Sequence, residues 1–224
     1  MSSAYPAVCF ASRSALAPVP AVLRLTLSAS HQEALAELLP VLLCGEESAA
    51  LAFGRFSGDS AFSQQARAEL QLIGQEEQRH ERALQALRQA LPPSPLDAEV
   101  RTAARRFFAR ISGPDPGEHF ARIAALDSGV CVLLGALLKR GSPLAADATV
   151  GGLMSHIHRD EARHVRVSRR YTRLLLNKRQ SRAIAFETRT RLAMLMALRG
   201  TALEALGVDA NRLLQRLRLV PRAL

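Results

Sequence analysis

Glu76-Glu77-Gln78-Arg79-His80 and Asp160-Glu161-Ala162-Arg163-His164 decide how this chain is read, because they are one pattern, acid-Glu-x-Arg-His, written twice. Residues three apart share a face of an α-helix. Glu77 with His80, and Glu161 with His164, therefore each offer a carboxylate and an imidazole to the same side. With thirteen Glu and six His in the chain, chance supplies about a third of one isolated Glu-x-x-His. Two copies that also share the preceding acid and the intervening Arg are not explained that way.

The chemistry that asks for this pattern is a pair of divalent cations. Two such ions a few Å apart need about four carboxylates to neutralise and bridge them, and one imidazole each to fix geometry while leaving open positions. The motifs supply half of that set, and two further helices would each add a lone carboxylate. The leading acids, Glu76 and Asp160, project sideways. Each is expected to accept the free ring N–H of the histidine on the opposite motif and so set its tautomer, with Arg79 and Arg163 clamping these acids.

The lone carboxylates are found by following apolar stripes. Ser30-His31-Gln32-Glu33 reads as a capping box that opens a helix in which Leu35, Leu38, Leu39, Leu42, Ala49, Ala50 and Phe53 keep helical spacing. Glu46 falls on that stripe. Glu47, about 100° further round, competes through a shorter one. Pro40 is expected to kink or split this helix near Leu39. After a turn at Ser57-Gly58-Asp59-Ser60, a second helix runs to Leu91, where Pro92 and Pro93 stop it. Ser94 with Pro95 opens a minor helix to about Ile111, the long crossover between two hairpins. A third helix, about Glu118 to Lys139, carries Asp127 in the stripe Phe120, Ile123, Val130, Leu134 and Leu138. Asp127 stands 34 residues before Glu161, and Glu46 stands 31 before Glu77, so the two halves repeat one plan. Being a methylene shorter than Glu, Asp127 implies monodentate ligation or a displaced metal; the alternative is a buried acid paired with an Arg. Ser142 and Pro143 open the fourth helix, with a break expected at Gly151-Gly152. His158, three residues before Glu161, is an alternative extra ligand, whereas His31, His119 and His156 are expected to be solvated. Helices follow at Arg182 to Leu198, Thr201 to Leu206 and Asn211 to Leu219, the last capped by Asp209.

Leu and Ala dominate, Trp is absent and aromatics make up 4% of the chain, a composition for an all-α protein. The expected division is an N-terminal extension over 1–29, a metal-binding helical domain over 30–176 and a helical extension over 177–224. Cys9, Cys44 and Cys131 are too few and too scattered for a disulfide framework, which points to a reducing, cytoplasmic setting. No apolar run is read as a membrane span. Pro18 and Pro20 interrupt the apolar run near the N-terminus, so a packed or flexible extension is preferred to a cleaved targeting segment. The net charge is +10; from Arg159 onward sixteen Arg or Lys face five Asp or Glu, giving that segment +11. Such a surface suits an acidic partner, or is simply a solvated basic face. Phosphate-binding glycine loops, Cys-x-x-Cys pairs and Ser-His-Asp chemistry are absent from the sequence.

At the two quoted motifs the chain resembles the ferritin-like di-iron carboxylate proteins, and among them the oxygen-activating branch, including soluble acyl-carrier desaturases and bacterial multicomponent monooxygenases. The resemblance covers about residues 31 to 176 as a spacing pattern. It implies a ferritin-like four-helix bundle with one long crossover and extra C-terminal helices. It also implies two Fe ions, or Mn, held by Glu46, Glu77, His80, Asp127, Glu161 and His164, with Glu76, Asp160, Arg79 and Arg163 behind them. Its chemistry would be O2-dependent hydroxylation, desaturation or N-oxidation of a small or carrier-protein-bound organic substrate. Electrons would come from an external reductase, since no flavin or iron–sulfur motif is present. Nucleic acid is not an expected partner, and self-association into a homodimer is compatible with the C-terminal helices. The extra histidine of some arylamine oxygenases in this superfamily precedes the Glu by four residues, not the three of His158. The rival readings are a ferroxidase or manganese-catalase-like protein, and a metal-free helical bundle that binds an acidic partner.

Overall fold

The computed structural model describes residues 23–113 and 115–219, and among them it forms nine α-helices and no strand. In order these are α1 (Ala29–Gly58), α2 (Gln64–Ala90), α3 (Asp97–Ile111), α4 (Pro116–Leu137), α5 (Pro143–Ala146), α6 (Ala148–Leu175), α7 (Lys178–Ala197), α8 (Gly200–Ala205) and α9 (Ala210–Arg218). The expected all-α class is observed. Cys9, Pro18 and Pro20 lie outside the described residues.

Capping chemistry explains most boundaries. The side chains of Ser28, Ser63, Asp115, Ser142, Asp147, Asn177 and Asp209 each accept a backbone N–H in the first turn of the helix that follows. Three expectations are corrected. The cap of α1 is Ser28 rather than the box at Ser30, and its hydroxyl receives the N–H of His31. Ser94 does not cap α3; its hydroxyl accepts from Leu96 in a preceding turn, and α3 begins at Asp97 without a side-chain cap. The fourth helical stretch breaks at Asp147, not at Gly151-Gly152. Ser142 caps only the single turn of α5, and Asp147 starts α6 by receiving Thr149 and Val150 N–H groups. The same carboxylate accepts from the backbone and hydroxyl of Thr26, which pins the extended segment before α1 to the start of α6.

Helix α1 runs unbroken through Pro40. Its residues from Ala34 to Cys44 are buried almost all round, because α2, α3 and α8 all pack on it. That packing holds the helix together across a residue that costs it one backbone hydrogen bond. The five-residue link after α1 folds α2 back along it, and α4 and α6 form the other extensively packed pair, joined to the first through α2 and α6. Helices α7 and α9 cover α4. One large aliphatic core joins α1 to α4 and α6 and to the C-terminal helices through Leu192, Met196, Leu203 and Leu213. A smaller, aromatic core gathers Phe53, Phe56, Phe120 and Tyr171. By length and composition α4 is apolar enough to cross a membrane, contrary to the sequence expectation, because its most apolar stretch carries few charges; more than half of that stretch is buried within the fold.

Candidate metal centre

Glu46 from α1, Glu77 and His80 from α2, Asp127 from α4, and Glu161 and His164 from α6 are all buried, none more than 7% exposed. Six ionisable side chains inside one core violate the usual cost of burying charge, so the way they are compensated is the central question.

Ligand-type atoms of Glu46, Glu77, His80 and Glu161 all lie within 4.8 Å of one another. Nδ1 of His80 stands 3.2 Å from Glu46, 3.5 Å from Glu77 and 3.8 Å from Glu161. Nδ1 of His164 stands 2.9 Å from Glu77 and 3.6 Å from Glu161. Several of these contacts are too poorly aligned to count as hydrogen bonds: among the described residues both oxygens of Glu77 and Nδ1 of His164 are buried without a hydrogen-bond partner, as is Oδ2 of Asp127. His80 Nδ1 bonds Glu46 at 3.2 Å, but the Glu77 oxygens and His164 Nδ1 converge without satisfying one another, which is how groups look when they are arranged around something else.

The outer side of each imidazole is satisfied. His80 Nε2 bonds Asp160 at 3.1 Å, and His164 Nε2 bonds Glu76 at 3.0 Å; each acid comes from the opposite motif helix, as the sequence pattern predicts. A ring nitrogen facing an ionised carboxylate donates, so in the neutral tautomer each histidine turns a lone pair on Nδ1 toward the cluster. The arginines are not equivalent. Arg163 pairs closely with Glu76 across the helix interface and only at 3.5 Å with Asp160 of its own motif. Arg79, 36% exposed, reaches Glu76 at 3.8 Å. Arg163 is thus the clamp, and chiefly on the acid of the other helix.

Without cations the cluster neutralises itself with protons. Burial pushes the carboxyls of Glu46 and Asp127 well above their ordinary range, with neighbouring acids adding to it, and Glu161 rises for the same reasons. Burial alone would lower His80, but Glu46, Asp160 and Glu77 push it up to about 12. His164 is raised well above its usual value against its burial by Glu77, Glu161 and Glu76. Burial would raise Glu77, yet the two imidazoles carry it far below the usual carboxylate range.

Glu47, the alternative to Glu46, has a half-exposed side chain 3.9 Å from Arg105. His158 is half-buried on α6 facing Gly135 of α4, and neither residue is brought into the cluster. Two histidines expected in solvent are elsewhere. His156 is largely buried, and its Nε2 lies 3.2 Å from Asp160, so that one carboxylate serves both His80 and His156. The signal was present: His156 precedes Asp160 by four residues, one helical turn. His119 is 7% exposed and packs edge-on against Phe56, ring centroids 5.1 Å apart. It stands four residues before Ile123 and eight before Asp127, on their face of α4. His31 is half-buried and bonds the Ser28 hydroxyl.

Beside the cluster lies a cavity whose walls are apolar, formed by Val41 and Leu42 of α1, Phe108 and Ile111 of α3, and Ile123 and Leu133 of α4, with α7 and α9 closing it. Glu46, Glu77, Asp127 and Glu161 reach it, and among the described residues no Lys or Arg lines it. No protein-family model and no curated protein matches the sequence of this chain.

Proposed function

We propose that this chain is a di-iron, oxygen-activating oxidoreductase of the ferritin-like kind, in which α1, α2, α4 and α6 are the four-helix bundle, α3 lies in the long crossover, and α7 to α9 are additions. Manganese is the alternative metal for the same ligands. The observation that carries the reading is the reciprocal wiring of the imidazoles: each Nε2 is held by an acid of the opposite helix, and each Nδ1 is turned into a set of buried carboxylates in which both Glu77 oxygens and one of Asp127 are unsatisfied. A proton-filled cluster explains burial but gives no reason for that symmetry. Two divalent cations supply one, by replacing the protons and satisfying the orphaned oxygens.

In this reading Glu46, Glu77, His80, Asp127, Glu161 and His164 hold the two metals, Glu77 and Glu161 being central because each approaches both histidines. Bound iron would supply O2 activation, with electrons from an external donor. Asp160 and Glu76 keep the imidazoles oriented and basic, and Arg163 holds Glu76 in place. The cavity binds the organic substrate beside the metals and excludes water, which favours hydroxylation, desaturation or N-oxidation over mineral storage.

Metal analysis of the purified chain tests this, with anaerobic Fe(II) titration followed by O2 and optical spectroscopy. About two metals per chain, and a new absorption band on adding O2, are expected. A chain that takes up neither Fe(II) nor Mn(II) would refute the centre; uptake with no oxidation of any organic compound would turn the reading toward a ferroxidase or catalase-like role.

A further inference from the structure

The metal centre makes no use of His119, yet this side chain lines the same cavity as the carboxylates. It is more than nine-tenths buried, and its Nδ1 has no hydrogen-bond partner. The backbone carbonyl of Gly113 acts on the ring as an acceptor. With the ring N–H at Nε2, turned to that carbonyl, the unpaired Nδ1 keeps a lone pair. Burial, together with the charges of Arg55 and Arg122, lowers this imidazole to about 4, so it stays neutral and stays an acceptor at physiological pH. Phe56 rests edge-on against it and limits its movement. An orphan acceptor in an apolar chamber costs stability unless some occupant supplies a donor.

The rest of the lining narrows that occupant. An anionic group would enter beside four acids, with no Lys or Arg among the described lining residues to receive it, and a cationic one would compete with the metals for the same carboxylates. The walls themselves are aliphatic and aromatic.

We infer that His119 is the specificity-determining residue of this cavity, and that the substrate is a neutral, apolar molecule bearing a hydroxyl or N–H group that donates to His119 Nδ1 while its apolar body lies against Val41, Ile123 and Leu133. The inference deepens the oxidoreductase reading, since it names the substrate class for the same centre. It extends to specificity the rule that a site built to pair a donor rejects the analogue lacking it.

The test is calorimetric titration of the full chain with p-cresol and with its methyl ether, 4-methylanisole, two probes of similar shape of which only the first donates. Both are run on the protein as purified and after chelation. p-Cresol should bind about tenfold more tightly or better. His119→Leu should abolish that preference, and His119→Gln, whose amide oxygen accepts, should retain part of it. Equal binding of the two probes by the unaltered chain, binding of neither up to their solubility limits, or a preference that survives His119→Leu would each overturn the inference. The comparison on the unaltered chain stands whether or not a variant folds. Metal content, measured on the same samples, separates the two readings: a p-cresol preference in a chain that takes up no metal refutes the di-iron centre and leaves His119 standing, and the converse result does the opposite.

Discussion

Replacing Asp160 by Asn isolates the charge behind one imidazole. Asp160 Oδ2 is 3.1 Å from His80 Nε2 and 3.2 Å from His156 Nε2. Asn keeps an acceptor oxygen of the same reach, so His80 retains a hydrogen bond but loses the anion that makes its Nδ1 basic. Changes of this kind behind a metal-bound imidazole cost about 10- to 100-fold in affinity, or roughly 1.4 to 2.7 kcal/mol. Asp160 is 15% exposed at its side chain and Glu76 only 4%, so solvent screens the first more than the second. Asp160→Asn is therefore expected near the tenfold end. Glu76→Gln should fall near the hundredfold end, because it also strips Arg163 of its closest partner and leaves a guanidinium half-buried beside His164. Anaerobic titration with Co(II) against a competing chelator measures both affinities. Binding within about threefold of the unaltered chain in both variants would mean that the cross-helix bonds do not support a metal centre, and a milder effect for Glu76→Gln than for Asp160→Asn would mean that burial does not set the order.

His80→Ala and His164→Ala should each lower metal occupancy while His158→Ala leaves it unchanged, and Glu46→Ala should cost more metal than the half-exposed Glu47→Ala; metal analysis after dialysis reads all four, and equal occupancy throughout would refute the assignment. Metal binding should release about two to four protons per chain at neutral pH, two from the imidazoles and the rest from Glu46 and Asp127. The sign follows from raised values: His80, His164, Glu46 and Asp127 all hold protons more tightly than usual, so protons compete with the metal, affinity falls as pH drops, and it is still rising above neutrality. Titration in buffers of different ionisation enthalpy counts the protons, and a release below one would contradict the self-neutralised cluster. Gly129→Ala should destabilise the fold by about 1 to 3 kcal/mol, since a Cβ there would run into Leu192; thermal unfolding within a degree of the unaltered chain would show that α7 has room to shift.

The buried cluster was legible where chemistry and helical period coincide. Glu77 with His80, Glu161 with His164, and Glu46 over Glu47 were placed by face alone, and the acids before each Glu could be assigned to the opposite histidine because a residue one position earlier projects sideways. The misses were of another kind. His119 and His156 looked solvated because they were judged against the Glu-x-x-His face, when the relevant neighbours were Ile123 and Asp127 for one and Asp160 for the other. The cavity was not legible, since its wall joins Phe108 of the crossover to Leu192, Met196 and Leu217 of the C-terminal helices, contacts that no local pattern encodes. The fold shows the same division. Asp209 caps as a short polar residue before an apolar period does, whereas α7 starts at Lys178 on an Asn177 cap, four residues before the expected Arg182, and the break before α6 falls at Asp147 rather than at the glycine pair, where the same carboxylate also ties down a distant segment, at Thr26. Gly151 is there for a different reason: a side chain on it would strike the Leu144 carbonyl of α5. It permits a close crossing and does not end a helix.

The C-terminal helices bear on the centre through one residue. Arg189 of α7 is 1% exposed and has no carboxylate among its hydrogen-bond partners: it donates to the backbone carbonyls of Leu217 and Arg216 at the end of α9, and at 3.0 Å to the hydroxyl of Ser128 on α4. Burial lowers its guanidinium to about 10, which leaves it charged at neutral pH. The compensating charge is the negative end of α9, where the Arg216 carbonyl also accepts from the N–H of Leu219. Ser128 is the neighbour of Asp127, the acid that is one methylene too short for the usual plan, and Gly129 beside it lets α7 approach closely. In the proposed di-metal reading, a shorter acid demands that its helix be held nearer and more rigidly to the other carboxylates. Fastening α4 from its outer side, through a buried Arg that spans α7, α9 and Ser128, is a physical means of doing so, and in that reading it gives the C-terminal extension a part in the centre although it supplies none of the six groups of the buried cluster.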